Sequence, residues 1–198
     1  MILIVTGLPR TGTSMMMQML KAAGMPINYD DKDFHDIDNP RGYLELDSIK
    51  DIIKHHDAML KEMDGKATKI ISQWMLAFLS VPLEGYHVKV ICMQRDLREV
   101  LRSQAILIER RWGFYAKLWV DGAMADAQKT IMTGYRVHMH HIGKMLQWRG
   151  IDQLRVDYSG CLEKPYKVCE DVLRFSDIPS ANLGAMVNAI DQSLYRVK

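Results

Sequence analysis

Ile2-Leu3-Ile4-Val5-Thr6 runs directly into Gly7-Leu8-Pro9-Arg10-Thr11-Gly12-Thr13-Ser14, and the reading of this stretch decides the fold. The first five residues form an apolar, mostly β-branched run, the pattern of a buried strand. Residues 7–12 are rich in turn formers. From Thr13 the apolar positions Met16, Met19, Leu20 and Ala23 fall at i, i+3, i+4 and i+7, one face of a helix, and Gly24 and Pro26 then supply a stop. The chain therefore opens as strand, loop, helix.

The same unit recurs downstream. Residues 88–93 predict a second strand ended by Arg95. Asp96 and Glu99 then set out a capping box, and Leu97, Val100, Leu101, Ala105 and Ile108 give a helical apolar stripe. Residues 154–158 predict a third strand, followed by a helix that starts at Pro165 and runs to Phe175. Between these lie an expected polar, mobile loop over 28–43, a helix over 46–63, a short strand over 69–72 and a helix over 74–79. Residues 112–148 read as two helices broken near Asp121-Gly122 or Gly134, and 183–194 as a last helix. Strands alternating with helices predict an α/β fold: a three-layer P-loop-type domain, 1–198, with a central, mostly parallel sheet flanked by helices.

Composition narrows the function classes. A length of 198 residues suits one domain with one sizeable core. The net charge of +2 argues against a general nucleic-acid or membrane-surface binder. The opening apolar run is too short for a secretory signal, and no stretch reaches the roughly 18 apolar residues of a membrane span. Cys92, Cys161 and Cys169 lack metal-ligand spacing and read as reduced thiols, so a cytoplasmic location is expected. The fifteen methionines read as flexible core filler, and the Met-rich helices could include a homodimer interface.

Residues 7–14 carry the sharpest chemical signal. Glycines let the backbone curl so that successive N–H groups point inward, and the helix N-terminus adds about half a positive charge. Thr11, Thr13 and Ser14 contribute hydroxyls, and Arg10 contributes a permanent, forked cation. The set suits a phosphate or sulfate group. Against the Walker A pattern G-x-x-x-x-G-K-[ST], Gly7, Gly12 and Ser14 match, but Thr13 stands where the lysine belongs, and the cation sits earlier, at Arg10.

Gly7-Leu8-Pro9-Arg10-Thr11-Gly12-Thr13-Ser14 resembles the 5′-phosphosulfate-binding loop of the sulfotransferase family, G-x-P-[KR]-[ST]-G-T-[ST]. A second match is independent of the first: Arg95 at a strand end and Ser103, eight residues later on the following helix, resemble the family's 3′-phosphate motif. A third runs from Leu154 through Tyr158, Leu162 and Pro165 to Phe175 and Ile178-Pro179, and resembles the family's strand and Tyr-Glu-Asp-Leu segment, with Ser159 and Gly160 replacing the two acidic residues. Residue 15 is Met where many relatives carry an aromatic, and the C-terminal Arg-x-x-Gly-x-x-x-Lys segment is absent from the sequence. The resemblance implies transfer of a sulfonate from 3′-phosphoadenosine 5′-phosphosulfate to a hydroxyl or amine. Gly7, Pro9, Arg10, Thr11, Gly12, Thr13, Ser14, Arg95, Ser103 and Tyr158 would bind the donor, and Arg10 would stabilise the leaving phosphate. No metal is expected, and the acceptor is expected to be a small molecule or a carbohydrate, not a nucleic acid or a membrane.

A general base is needed as well. Residues 28–45 offer His35, Asp36 and Glu45. Glu45 is favoured because the Asn39-Pro40-Arg41-Gly42-Tyr43 turn before it could aim it at the first helix, and Arg41 could hold an anionic group of the acceptor. His138, His140 and His141 share a helical segment with no carboxylate or cysteine nearby to complete a metal site. Two other classes compete: a P-loop kinase of a nucleoside or small metabolite, which would need a cation after Gly12 and an aspartate for magnesium, and a non-catalytic nucleotide-binding module.

Overall fold

A computed structural model describes residues 1–30, 39–112 and 124–191 of the chain; at 111, 112 and 124–126 only the backbone is described. Five strands build one sheet: β1 (Ile2–Thr6), β2 (Ile27–Asn28), β3 (Ala67–Lys69), β4 (Val88–Gln94) and β5 (Asp152–Asp157). Their order is β2-β3-β1-β4-β5, and every pairing is parallel, with Leu3 opposite both Ala67 and Lys89 and Ile91 opposite Leu154. The helices are α1 (Thr13–Ala22), α2 (Ile52–Met63), α3 (Ser72–Phe78), α4 (Leu97–Trp112), α5 (Met124–Trp148), α6 (Tyr158–Glu163), α7 (Pro165–Phe175) and α8 (Leu183–Asn188), with short 3₁₀ turns at Asp47–Asp51 and Ser180–Asn182.

The alternation of strand side chains divides the core into two layers. Ile2, Ile4, Val88 and Val90 face one way and pack with Leu60 and Met63 of α2, Met75 and Phe78 of α3, and Ile142 and Leu146 of α5. Leu3, Val5, Ile91 and Met93 face the other way and pack with Met16, Met19 and Leu20 of α1, Cys161 of α6, Cys169 and Val172 of α7, and Met186 of α8. All five residues of β1 are buried, as a strand covered on both faces requires. The fold class is therefore α/β, three layers around an all-parallel sheet.

Several local expectations change. The last turn of the segment read as α1 and its stop leads into β2, whose two residues sit at the sheet edge and give no periodic signal. β3 ends at Lys69, where the strand was expected to begin, because Ala67 and Thr68 are small, buried and lack the apolar signature of a strand. α5 runs unbroken through Gly134, where a Cβ would meet nothing within 4 Å; the break suggested at Asp121-Gly122 lies outside the described residues. The helix over 46–63 begins as a 3₁₀ turn and is kinked at His55. Tyr158 starts α6, which the sequence reading merged with the preceding strand. Among the described residues, no helix is long and apolar enough to cross a membrane.

The three thiols are buried and free. Burial pushes Cys92 and Cys169 up to about 11 and Cys161 up to about 12, from an ordinary 9.0. Raised values mean that the unfolded chain loses its thiol protons first, so the cysteines' contribution to stability declines as pH climbs above 9.0 toward those values. Native protein at pH 8 is expected to react with a thiol reagent no faster than it unfolds, with all three thiols titrating after denaturant is added; rapid labelling of the native protein would contradict the burial.

Candidate functional site

The sheet order creates a crevice. From β1 the chain leaves toward β2 at one edge, and from β4 toward β5 at the other, so the connections diverge beyond the carboxyl ends of these two adjacent strands. Open parallel sheets bind ligands at such a divergence. The loop 7–14 leaves β1 there, and Arg95 leaves β4.

The loop is held by close backbone approach. A Cβ on Gly7 would lie 2.5 Å from Thr11 Oγ1 and 2.8 Å from the Met93 carbonyl oxygen. Gly12 has φ 95°, in the left-handed region, and a Cβ there would lie 2.5 Å from Cδ2 of Tyr158. Arg10 also has a left-handed backbone, φ 75°, a costly conformation for a residue with a side chain. Left-handed residues interleaved in a turn aim consecutive amides into a concavity that receives anions. Thr11 closes the turn from beneath, its N–H and its hydroxyl both donating to the Leu8 carbonyl, at 3.2 and 2.7 Å. The Ser72 N–H donates to the Gly7 carbonyl at 3.0 Å and ties α3 to the loop. No side chain caps the start of α1.

The two segments singled out by sequence meet. Arg10 Nε donates to Ser103 Oγ at 2.9 Å, and Arg95 Nη1 donates to the Arg10 carbonyl at 3.2 Å. Ser103 is buried on the inner side of α4. Arg95 is held from two further directions: its Nε donates to Glu99 at 2.8 Å, and its guanidinium lies 4.4 Å over the Tyr158 ring. Asp96 caps α4 by accepting from the N–H groups of Arg98 and Glu99. Glu99, in the first turn of α4, pairs with Arg95 in a charge-assisted hydrogen bond. Gln104 donates to the Pro9 carbonyl at 3.2 Å and accepts from the Tyr135 hydroxyl at 2.9 Å, so α4 and α5 brace the crown of the loop.

At the opposite end of the loop stands a residue that sequence reading passed over. Lys69, ending β3, is 2% exposed. Its ammonium donates to Ser14 Oγ at 2.9 Å and to the Tyr43 carbonyl at 2.7 Å, and pairs with Glu45 Oε1 at 2.8 Å. Ser14 in turn donates to the Tyr43 carbonyl at 3.3 Å. A buried ammonium demands partners, but Ala67-Thr68-Lys69 carries no apolar pattern that would mark the lysine as buried. Glu45 thus reaches the loop through Lys69. Thr13 is buried at the helix start. Arg41 instead donates to the Ala189 carbonyl at 2.9 Å and pairs with Asp191 at 3.0 Å, which fastens the 39–43 turn to the C-terminal segment. His35 and Asp36 lie outside the described residues. His138 sits against the Ser72 carbonyl at 3.0 Å.

Compared with known proteins, the chain matches no family model and no curated relative.

Replacing Gly12 by Ala combines a left-handed backbone with a clash against Tyr158. A loss of about 1–2 kcal/mol is expected from the backbone alone, with more from the ring. Denaturant unfolding of Gly12→Ala and of Gly12→Ala/Tyr158→Ala checks this: the double variant should recover part of the loss relative to the sum of the singles. Unchanged stability in Gly12→Ala would contradict the close packing.

Proposed function

We propose that the chain is a sulfotransferase, moving a sulfonate from 3′-phosphoadenosine 5′-phosphosulfate to a hydroxyl or amine. The observation that carries this reading is the contact between the loop and the Arg95–Ser103 pair. Two phosphates on one ribose lie a few bonds apart, and a ligand carrying both needs two adjacent anion receptors opening on one crevice. The Arg10–Ser103 and Arg95–Arg10 hydrogen bonds give that adjacency.

The residues present fit the donor. The loop amides and the Thr13 hydroxyl would hold the 5′-phosphate, while Gly7 and Gly12 let the loop pack closely and the Thr11 and Ser14 hydroxyls, donating to the Leu8 and Tyr43 carbonyls, fix its shape. Arg95 and Ser103 would receive the 3′-phosphate, with Tyr158 on the adenosine side and Pro9 shaping the crown. Transfer forms a bond from the acceptor oxygen or nitrogen to sulfur and breaks the bond from sulfur to the bridging phosphate oxygen. Arg10 turns from Ser103 toward that oxygen and meets the charge left on it, an electrostatic role. The acceptor's proton goes to Glu45, whose carboxylate Lys69 orients beside Ser14.

The kinase reading asks for magnesium at the hydroxyl that follows the Walker lysine. Here the ammonium of Lys69 stands 2.9 Å from Ser14 Oγ, which disfavours a divalent cation at that oxygen and supports the metal-independent chemistry. A cytoplasmic setting, where the donor nucleotide is made and thiols stay reduced, belongs to the same proposal.

Thermal denaturation tests it. Adenosine 3′,5′-bisphosphate should raise the melting temperature more than ATP with magnesium, the stabilisation reaching about 2.7 kcal/mol at a hundred times its Kd. A chelator should leave that shift unchanged. Greater stabilisation by ATP with magnesium would favour the kinase.

A further inference from the structure

Beside the Lys69–Glu45 pair the surface opens into a cavity of about 230 Å³. Glu45, Lys69, Asp47, Lys50, Gln73 and Trp74 line it, together with three aliphatic side chains. It adjoins the loop directly, since Lys69 in its wall is the residue bonded to Ser14. It is distinct from the crevice between β1 and β4: its wall includes Lys69, the last residue of β3, which lies on the other side of β1.

The chemistry of the lining selects an occupant. Two carboxylates and two ammoniums balance, so the described walls offer no net attraction to an anion or a cation. They offer instead hydrogen-bonding groups of both kinds: Glu45 and Asp47 accept, Lys50 donates and the Gln73 amide does both, while the Lys69 ammonium is already engaged by Ser14, Tyr43 and Glu45. A hydroxyl, which donates and accepts at one atom, satisfies such a wall where a carboxylate or an ammonium would meet a like charge. Trp74, half-buried and packed against the core, is part of the wall and brings an aromatic side chain for apolar contact. The volume falls below the roughly 300 Å³ at which pockets begin to hold drug-sized ligands, so it admits one ring at a time.

We infer that this cavity is a binding site for a neutral, polyhydroxylated ring, a single sugar residue, seated against Trp74 with one hydroxyl toward Glu45. The inference rests on the sulfotransferase reading for the purpose of the site, since it makes the sugar the acceptor. The binding claim itself stands on the lining alone.

Ligand-detected saturation-transfer NMR on the full chain tests it, with adenosine 3′,5′-bisphosphate present and absent. The probes are a panel of neutral methyl hexopyranosides, glucose 6-phosphate, glucosamine and phenol. Saturation is expected on the neutral glycosides in preference to the other three, and should fall at least threefold in Trp74→Ala and in Gln73→Ala. Gln73 is exposed, so its variant retains the fold even where loss of the indole disturbs α3. Absence of saturation on every glycoside, preference for the phosphate, amine or phenol, or an unaltered signal in Gln73→Ala together with Trp74→Ala would overturn the site. The nucleotide's thermal shift, measured on the same variants, keeps the two questions apart: its absence in the parent chain counts against the donor reading, and its persistence in the variants while glycoside signal is lost locates the defect in the cavity.

Discussion

The approach of Gly7 to the Met93 carbonyl is the constraint on which the rest of the site depends. Side chains at Gly7 or Gly12 would lift the loop away from β4 and from Tyr158, and with it the Arg10 carbonyl that Arg95 holds. Because β1 and β4 are neighbours in parallel register, Thr6 opposite Cys92, the loop after one strand and the arginine after the other emerge at the same height. The glycines convert that coincidence of height into contact. The strain stored in the left-handed Arg10 is then offset by its carbonyl's bond to Arg95 and its side chain's bond to Ser103.

Around this contact the polar groups fall into two sets on either side of the loop. Arg10, Arg95, Glu99, Ser103 and Tyr158 form the first, a cationic receptor stiffened by one carboxylate and one aromatic face. Ser14, Tyr43, Glu45 and Lys69 form the second, in which the buried ammonium draws together the hydroxyl that opens α1 and a carbonyl and a carboxylate from the 43–45 segment. Under the proposed reaction the first set would grip one substrate by charge and the second would face the other by hydrogen bonds, with the loop as the wall between them.

The strands β1 and β4, the helices α1, α4 and α7, and the loop itself were legible because each combines a periodic apolar pattern with a punctuating residue: Gly7 and Gly12, Asp96, Pro165. Arg10, Arg95 and Ser103 were singled out by resemblance to two separate motifs, and the fold brings them into contact. Lys69 was not, since its role comes from β3 lying next to β1, a pairing that no local pattern encodes. The two-residue β2 and the start of β3 two residues earlier than expected escaped for a related reason, as Ile27-Asn28 and Ala67-Thr68-Lys69 are strands only through their neighbours. Arg41 was read as able to hold an anionic group of the acceptor, and its partner Asp191 lies too far along the chain for any local pattern to show.

Calorimetric titration with adenosine 3′,5′-bisphosphate, adenosine 5′-monophosphate and adenosine 3′-monophosphate bears most directly on whether one nucleotide spans both receptors. The bisphosphate should bind at least tenfold more tightly than either monophosphate, about 1.4 kcal/mol, and Arg95→Ala should erase its advantage over the 5′-monophosphate. Equal affinity for all three, or an advantage that survives the loss of Arg95, would leave the loop as an isolated anion site and contradict the account.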